Sequence, residues 1–174
     1  MGEIKKPLKV KLFIGMISVN ELLCVEAEEL LSQKFGKVDF RSQILPFHYT
    51  DYYEPEMGKN LIRQFISFKR LVDPTKLASI KIFTNDLELN ISSPNRKINL
   101  DPGYLTGAKM ILASTKDYSH RIYLQKGIYA ETTLRFRNGS FEPFDYTYRD
   151  YASDYIPIFN QIRELYLTQV KNNV

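Results

Sequence analysis

Polar side chains that could do chemistry are concentrated between positions 99 and 121. Residues 99–104 (Asn-Leu-Asp-Pro-Gly-Tyr) and 115–121 (Thr-Lys-Asp-Tyr-Ser-His-Arg) flank the apolar run 109–114. This order predicts a loop, a buried strand and a second loop, which would bring the polar groups of the two loops near one another. Loops held by a rigid scaffold are where binding and catalytic residues concentrate.

The residue types in this region suit acid–base chemistry or anion binding. An imidazole titrates near neutral pH, so His120 is the candidate proton carrier, with the carboxylates of Asp101 and Glu131 to orient or share the proton. Lys116 and Arg121 could hold a phosphate or a carboxylate. The main prediction is therefore a small anionic or nucleotide-like ligand bound at the polar loops around residues 99–121, with hydrolytic chemistry left open. The predicted catalytic residues are His120, Asp101 and Glu131, and the predicted ligand-binding residues are Lys116, Arg121, Asn99, Asp117, Tyr104, Tyr49, Tyr53 and Glu56.

A purely structural interpretation accounts for the same residues. Residues 117–120 and 101–103 are typical of turns, in which Asp117 would cap its own backbone. Glu131 would then pair with Arg121 across neighbouring strands. Divalent-cation binding by the carboxylates and the histidine is a third interpretation. The prediction names no metal ligand and leaves the cofactor unassigned, and whether the chain is an enzyme stays open.

Two histidine motifs point weakly to phosphodiester chemistry. The triplets 48–50 (His-Tyr-Thr) and 120–122 (His-Arg-Ile) resemble the paired motifs of two-histidine phosphoesterases, which implies one imidazole as acid and the other as base. Ile122 replaces the second hydroxyl of that pattern, and the two halves of the chain are not similar.

A basic, Tyr-rich sheet face would support a different function. Tyrosine rings can stack on bases, and strand arginines and lysines can follow a phosphate backbone. The alternative prediction is thus a non-catalytic RNA- or protein-binding module, although the same rings could simply cover an open sheet face. The residues concerned are Tyr49, Tyr52, Tyr53, Tyr104, Tyr146, Tyr148, Tyr151, Arg63, Lys69, Arg70, Arg135 and Arg137.

Composition indicates an ordinary folded protein. The 174 residues are 44% hydrophobic and 25% charged, with a net charge of +4, which permits an anionic partner without requiring one. Cys24 is alone, so no disulfide can form within the chain, and its place in an apolar helix stripe predicts burial. No stretch has the length of a membrane span and the N-terminus lacks a secretion signal, so we expect a cytoplasmic protein. The oligomeric state stays open.

Hydrophobic periodicity predicts alternating strands and helices. Ser18 and Glu21 form a capping-box pattern before a helix over 19–35, and Asp73-Pro74 is typical of a second helix start. Tight turns are predicted at Lys126-Gly127 and Asn138-Gly139. The second helix is predicted to end before residue 92, and a third helix follows residue 150. Strands are predicted at 8–16, 38–47, 61–72, 121–125 and 128–137, with a further strand at 97–100, at 109–114 or at both.

This order predicts an α+β fold with a ferredoxin-like βαββαβ core, an antiparallel sheet, a β-meander and a C-terminal helix. We predict a single domain over 1–174, made of a βαββα half (1–98), a β-rich extension (99–149) and the C-terminal helix (150–174). The β-rich extension would either lengthen the first sheet or form a second layer.

Several segments, specific in combination, resemble a bacterial family known only as a domain of unknown function, number 4416. The resemblance covers nearly the whole chain and implies a bacterial, cytoplasmic, single-domain protein. It carries no activity, cofactor or catalytic residue. The segments are 46–53 (Pro-Phe-His-Tyr-Thr-Asp-Tyr-Tyr), 56–58 (Glu-Met-Gly), 84–88 (Thr-Asn-Asp-Leu-Glu), 99–104 (Asn-Leu-Asp-Pro-Gly-Tyr), 115–117 (Thr-Lys-Asp), 120–124 (His-Arg-Ile-Tyr-Leu), 127–134 (Gly-Ile-Tyr-Ala-Glu-Thr-Thr-Leu) and 146–150 (Tyr-Thr-Tyr-Arg-Asp).

Overall fold

The computed structural model describes residues 2–171, and this part of the chain has the predicted α+β architecture. A nine-stranded antiparallel sheet is combined with four α-helices within these residues. The strands are β1 (Lys11–Ser18), β2 (Val38–Arg41), β3 (Leu45–Pro46), β4 (Ile62–Phe68), β5 (Ile98–Leu105), β6 (Lys109–Ser114), β7 (Ile122–Gln125), β8 (Ile128–Arg137) and β9 (Ser140–Pro143). The helices are α1 (Glu21–Phe35), α2 (Glu54–Met57), α3 (Leu77–Ser92) and α4 (Ile156–Lys171), and a 3₁₀ turn at Pro74–Lys76 precedes α3.

The sheet has the strand order β2-β4-β1-β5-β6-β8-β7, with β3 beside β4 and β9 beside β8. The first half therefore lies in the order β5-β1-β4-β2, which is compatible with a split βαβ arrangement. The ferredoxin-like description of this half stays a prediction. Since β6 pairs with β5, the strands of the 99–149 region continue the first sheet, and they do not form a second layer.

Local sequence signals account for how the helices begin and where the hairpins turn. Asp73 accepts a hydrogen bond from the Thr75 N–H before α3, as the Asp-Pro pattern predicts. The predicted capping box at Ser18 was wrong, because the N-cap of α1 is Asn20, two residues later, whose side chain accepts a hydrogen bond from the Leu23 N–H. Both residues of each predicted tight turn, 126–127 and 138–139, have the positive φ angles that a two-residue hairpin turn requires.

Helices cover both faces of the sheet because successive side chains of a strand point to opposite faces. Leu12, Ile14 and Met16 of β1 pack in one apolar core with α1 and α3, and Cys24 lies buried in that core. On the other face, Phe13 packs edge-on against Phe159 of α4 with ring centroids 5.0 Å apart. Burial raises the pKa of the Cys24 thiol to about 11, so this cysteine is a core residue.

Residues 99–104 are not a loop, which corrects the prediction that they form the first polar loop of the site. They lie within β5, which pairs with β1 along eight consecutive positions. Gly103 permits this packing, since a Cβ there would lie 2.5 Å from the Ile111 carbonyl oxygen and would overlap the Phe13 ring. Long-range strand pairing therefore overrides the turn tendency of the Asp-Pro-Gly triplet.

Candidate functional site

A cavity of about 800 Å³ lies where β5 and β6 separate. Residues 103–105 of β5 pair with residues 110–112 of β6, and no further residues of these two strands pair with each other within the described part of the chain. Residues 98–102 of β5 therefore have an open edge, and the cavity wall includes both sides of the gap. The segments 47–56, through α2, and 148–151, before α4, complete the wall.

Two buried side chains of α3 replace the missing strand partner at this open edge. Glu88 Oε1 accepts a hydrogen bond of 2.7 Å from the Leu100 N–H, and Lys81 Nζ donates one of 3.0 Å to the Leu100 carbonyl. Buried backbone groups need such partners, so these two contacts stabilise the gap between the strands. Burial raises the pKa of Glu88, although Lys81, the Leu100 N–H and Arg96 oppose the shift.

Arg63 of β4 is the most unusual residue of the wall, because its side chain is only 1% exposed. Its Nη2 donates to Tyr151 Oη at 2.7 Å, and its guanidinium carbon lies 4.7 Å from the Phe65 ring centroid and 5.4 Å from that of Tyr155. Within residues 2–171, three buried side-chain polar atoms lack a hydrogen-bond partner: Arg63 Nε, Arg63 Nη1 and Tyr155 Oη. All three belong to this one cluster.

Asp101 is the carboxylate that Arg63 shares with Lys81. Its Oδ2 lies 3.5 Å from Arg63 Nη1 and its Oδ1 lies 3.5 Å from Lys81 Nζ. Asn99 Nδ2 donates to Asp101 Oδ2 at 2.7 Å and holds the carboxylate in place. Asp150 lies in the same wall, where burial raises its pKa although the Arg63 charge opposes the shift. Two buried cations thus face one ion-paired carboxylate.

Arg96 joins α2 to α3 and β5 on one side of the cavity. Its guanidinium donates to both oxygens of Glu56 at 3.1 and 2.6 Å, to Glu88 at 3.0 Å and to the Asn99 side-chain oxygen at 3.1 Å. The ring centroid of Tyr53 lies 5.8 Å from this guanidinium. These contacts hold the segment around α2 against the rest of the wall.

Glu131 and Arg121 form a second polar network on the opposite side. Arg121 Nε donates to Glu131 Oε2 at 2.7 Å, and Arg121 Nη1 donates to Ser114 Oγ at 2.7 Å. His120 Nε2 lies 3.1 Å from the same Glu131 oxygen, and its ring stacks on Tyr146 with centroids 4.3 Å apart. The Glu131–Arg121 pair is the contact between neighbouring strands that the non-catalytic interpretation of these residues predicts.

The cavity wall includes eight of the eleven predicted site residues, namely Asp101, Glu131, Asn99, Lys116, Arg121, Tyr49, Tyr53 and Glu56. The wall does not include His120, Asp117 or Tyr104. His120 lies behind Glu131, and Asp117 is exposed on the turn before β7. Tyr104 alternates with Asp101 along β5 and faces the other side of the sheet, where it packs beside Leu77 and Ala78.

The three predicted catalytic residues do not form one constellation. The hydrogen bonds and ion pairs of Asp101 involve Arg63, Lys81 and Asn99. Those of Glu131 involve His120, Arg121 and Thr133 instead. The acid–base arrangement expected from the sequence is therefore divided between two networks on different sides of the cavity.

Sequence reasoning missed five charged residues of the wall. A usable signal existed in α3, where the buried residues Lys81, Thr84 and Glu88 recur at helical spacing along the apolar stripe. Polar groups at core positions need partners and often mark a site. No comparable local signal identifies the others. Arg63 was named only for the alternative nucleic-acid face, and the missed charged residues are Lys81, Glu88, Arg96, Arg149 and Asp150.

Residues 2–171 contain no group of three or more histidine, cysteine, aspartate or glutamate side chains placed to hold a metal ion. No helix in the same range is long and apolar enough to cross a membrane.

Comparison with known proteins identifies a family without a described activity. No curated protein and no solved structure matches this chain. The model of the family called Domain of unknown function (DUF4416) matches residues 8–166, which is most of the sequence. The chain therefore belongs to the DUF4416 family.

Proposed function

We propose that this protein binds a small anionic ligand in the cavity between β5 and β6, with nucleotides included in that class. The observation that carries the proposal is Arg63, a buried cation whose Nε and Nη1 donate no hydrogen bond, although Nη1 lies 3.5 Å from the Asp101 carboxylate. Buried donors in native proteins are nearly always paired, and an unpaired one calls for an explanation. An anionic group of a ligand would accept from these donors.

The dimensions and lining of the cavity support a ligand of moderate size. A volume of about 800 Å³ is within the usual range for small-molecule sites, which are mostly concave and partly aromatic. Tyr52, Tyr118 and Tyr148 are exposed parts of the wall, so their rings could contact a planar group. Lys116 Nζ lies 4.1 Å from the Tyr52 ring centroid and adds a cation beside that aromatic surface.

The proposal is binding, and it does not include turnover. Asp101 and Glu131 are engaged in separate ion pairs, and His120 contacts Glu131 from outside the cavity wall. Hydrolytic chemistry would require a proton carrier with access to the ligand. The cytoplasmic location expected from the sequence stays a prediction.

The alternative function requires an open, basic sheet face, and the architecture does not favour it. Helix α4 packs over the face that carries Phe13 and Phe65, and Arg63 is buried on that same face. Tyr151 is 3% exposed and packs in this core. Arg63 and Tyr151 could not contact an incoming base or phosphate backbone unless the segment before α4, which contains Tyr151 and Tyr155, moved away.

A ligand screen by thermal shift and calorimetry tests the proposal. The panel contains nucleoside mono-, di- and triphosphates, sugar phosphates and aromatic carboxylates. A ligand at a hundred times its dissociation constant should stabilise the fold by about 2.7 kcal/mol. Arg63→Gln should weaken binding by roughly 10- to 100-fold, since a hydrogen bond to a charged group contributes about 1.5–3 kcal/mol.

Two further variants make the screen decisive. Arg137→Gln removes an exposed arginine that is not part of the wall and should leave affinity unchanged. Lys116→Ala changes an exposed wall residue and avoids the folding risk of a buried substitution. Absence of binding across the whole panel, or binding that is insensitive to both Arg63→Gln and Lys116→Ala, would rule out this site.

A further inference from the structure

We propose that the anionic group recognised at the Arg63 end of the cavity is a single carboxylate and not a phosphate, and that the ligand is an aromatic monocarboxylate. This inference rests on the proposed function and specifies its ligand class. Three features of the cavity support it: the balance of charge around Arg63, the contacts that hold Asp101, and the lining of the remaining wall.

The charges around Arg63 leave room for one further negative charge. Arg63 and Lys81 are both 3.5 Å from the same carboxylate, Asp101, so two buried cations share one ion-paired anion. Over the whole wall, six cationic side chains face five carboxylates. The cations are Arg63, Lys81, Arg96, Lys116, Arg121 and Arg149, and the carboxylates are Glu56, Glu88, Asp101, Glu131 and Asp150. The wall therefore has a formal excess of one positive charge, and one ligand carboxylate would bring the sum of the wall and the ligand to zero.

A phosphate monoester would exceed this balance. It carries a charge of about −1.5 to −2 at pH 7. The excess would lie beside Asp101 and near Asp150, whose burial already opposes its ionised form. Charges in a buried site are weakly screened, so an unbalanced charge there is costly. The Arg63 end should therefore discriminate against dianions.

Asp101 cannot easily leave to make room for a phosphate, because neighbouring side chains hold it. Asn99 donates to Asp101 Oδ2 at 2.7 Å, while the Asn99 side-chain oxygen accepts from Arg96 at 3.1 Å. Arg96 in turn is held by Glu88, which is 3% exposed. This chain of contacts keeps a fixed negative charge in the wall.

The lining beyond Arg63 suits an apolar, planar body. Phe47, Leu112 and Ala113 contribute apolar surface to the wall, and Tyr52 and Tyr148 contribute exposed rings. Aromatic side chains prefer offset-stacked or edge-on contact with other rings. A ring bearing one carboxylate would match the polar group to Arg63 and the body to this surface.

Calorimetry at pH 7.5 with three compounds of similar shape tests the inference. The probes are 1-naphthaleneacetate, 1-naphthyl phosphate and the neutral 1-naphthaleneacetamide, each titrated into the wild-type protein and into Asp101→Asn. The wild type should bind the carboxylate at least tenfold more tightly than the phosphate or the amide. Asp101→Asn removes one negative charge, so the ratio of carboxylate to phosphate affinity should fall at least tenfold.

The outcomes separate this inference from the proposed function. The carboxylate assignment is overturned if the wild type prefers the phosphate, binds both naphthyl anions equally, or binds nucleotides but neither naphthyl anion. Each of these results leaves the proposed anion binding intact. If circular dichroism shows that Asp101→Asn folds, and its ratio of carboxylate to phosphate affinity equals that of the wild type, the carboxylate assignment is also overturned. If Asp101→Asn does not fold, the wild-type ratio alone decides. No binding of any anion overturns both proposals.

Discussion

Asp101 of β5 and Arg63 of β4 meet 3.5 Å apart over Gly15 of β1, the strand between them. Gly15 pairs with Asp101 on one side and with Phe65 on the other. A Cβ at position 15 would lie 3.4 Å from the guanidinium carbon of Arg63 and 2.8 Å from the Phe65 ring. The ion pair therefore depends on the absence of a side chain at this central position.

A second glycine determines how closely β5 can approach its neighbours. Gly103→Ala should lower the free energy of unfolding by about 1–3 kcal/mol, because the new methyl group would overlap Phe13 and the Ile111 carbonyl. Urea denaturation measures the change. Gly107→Ala is the matched control, since its Cβ would meet one flexible atom of Leu167 at 3.3 Å. Equal effects of the two substitutions would contradict the tight β5 packing.

Glu88 should contribute more to stability than an ordinary acidic residue of a helix. Glu88→Ala leaves the buried Leu100 N–H and one Arg96 contact without an acceptor, and we expect a loss of about 2–4 kcal/mol. Glu88→Gln keeps an acceptor and should lose less. Chemical denaturation compares both with Glu164→Ala, whose side chain is 72% exposed and which should change stability by less than about 0.5 kcal/mol.

The pH dependence of stability should reveal the buried Asp150. Its pKa is raised in the folded state, so the folded protein binds more protons than the unfolded chain between the ordinary and the raised pKa. Stability from this group is therefore present at low pH and is lost as pH rises through the raised pKa. Asp150→Asn removes this loss, so its unfolding free energy relative to wild type should increase from pH 4 to pH 8.

Urea titrations at several pH values across that range give the comparison. The Asp150 carboxyl accepts from the Tyr151 N–H, and an asparagine oxygen can replace it there, so the variant should fold. Asp145→Asn, on the exposed surface, is the control. If the unfolding free energy of Asp150→Asn relative to wild type stays constant or falls as pH rises, the folded state does not raise the pKa of Asp150.

The contact between Glu56 and Arg96 should restrain the segment around α2. Glu56→Gln removes the ion pair and should raise amide hydrogen exchange at residues 56–58 by several-fold. Global stability should change by less than about 1 kcal/mol, because the Glu56 side chain is 45% exposed. Mass spectrometry measures the exchange rates. Glu54→Gln, a substitution in the same helix, is the control. Similar exchange in both variants would assign the restraint to other contacts.

Local patterns in the sequence were enough to determine the cap before α3 and the two hairpin turns, although not the cap of α1. Asp73-Pro74 caps its helix, the pairs 126–127 and 138–139 turn as predicted, and Cys24 is buried in the α1 stripe. These features depend on backbone preferences and periodicity within a few residues, so the sequence alone carries them. The α+β class follows from the order of such elements.

The candidate site was decided largely by tertiary structure. Residues 99–104 have turn chemistry, and only pairing with β1 makes them a strand whose alternation separates Asp101 from Tyr104. Arg63 is buried against Tyr151, which lies 88 residues away in the chain, and against Tyr155, which directly precedes α4. Which polar groups meet in a cavity depends on strand register and on the face each side chain takes, and neither is encoded in local spacing.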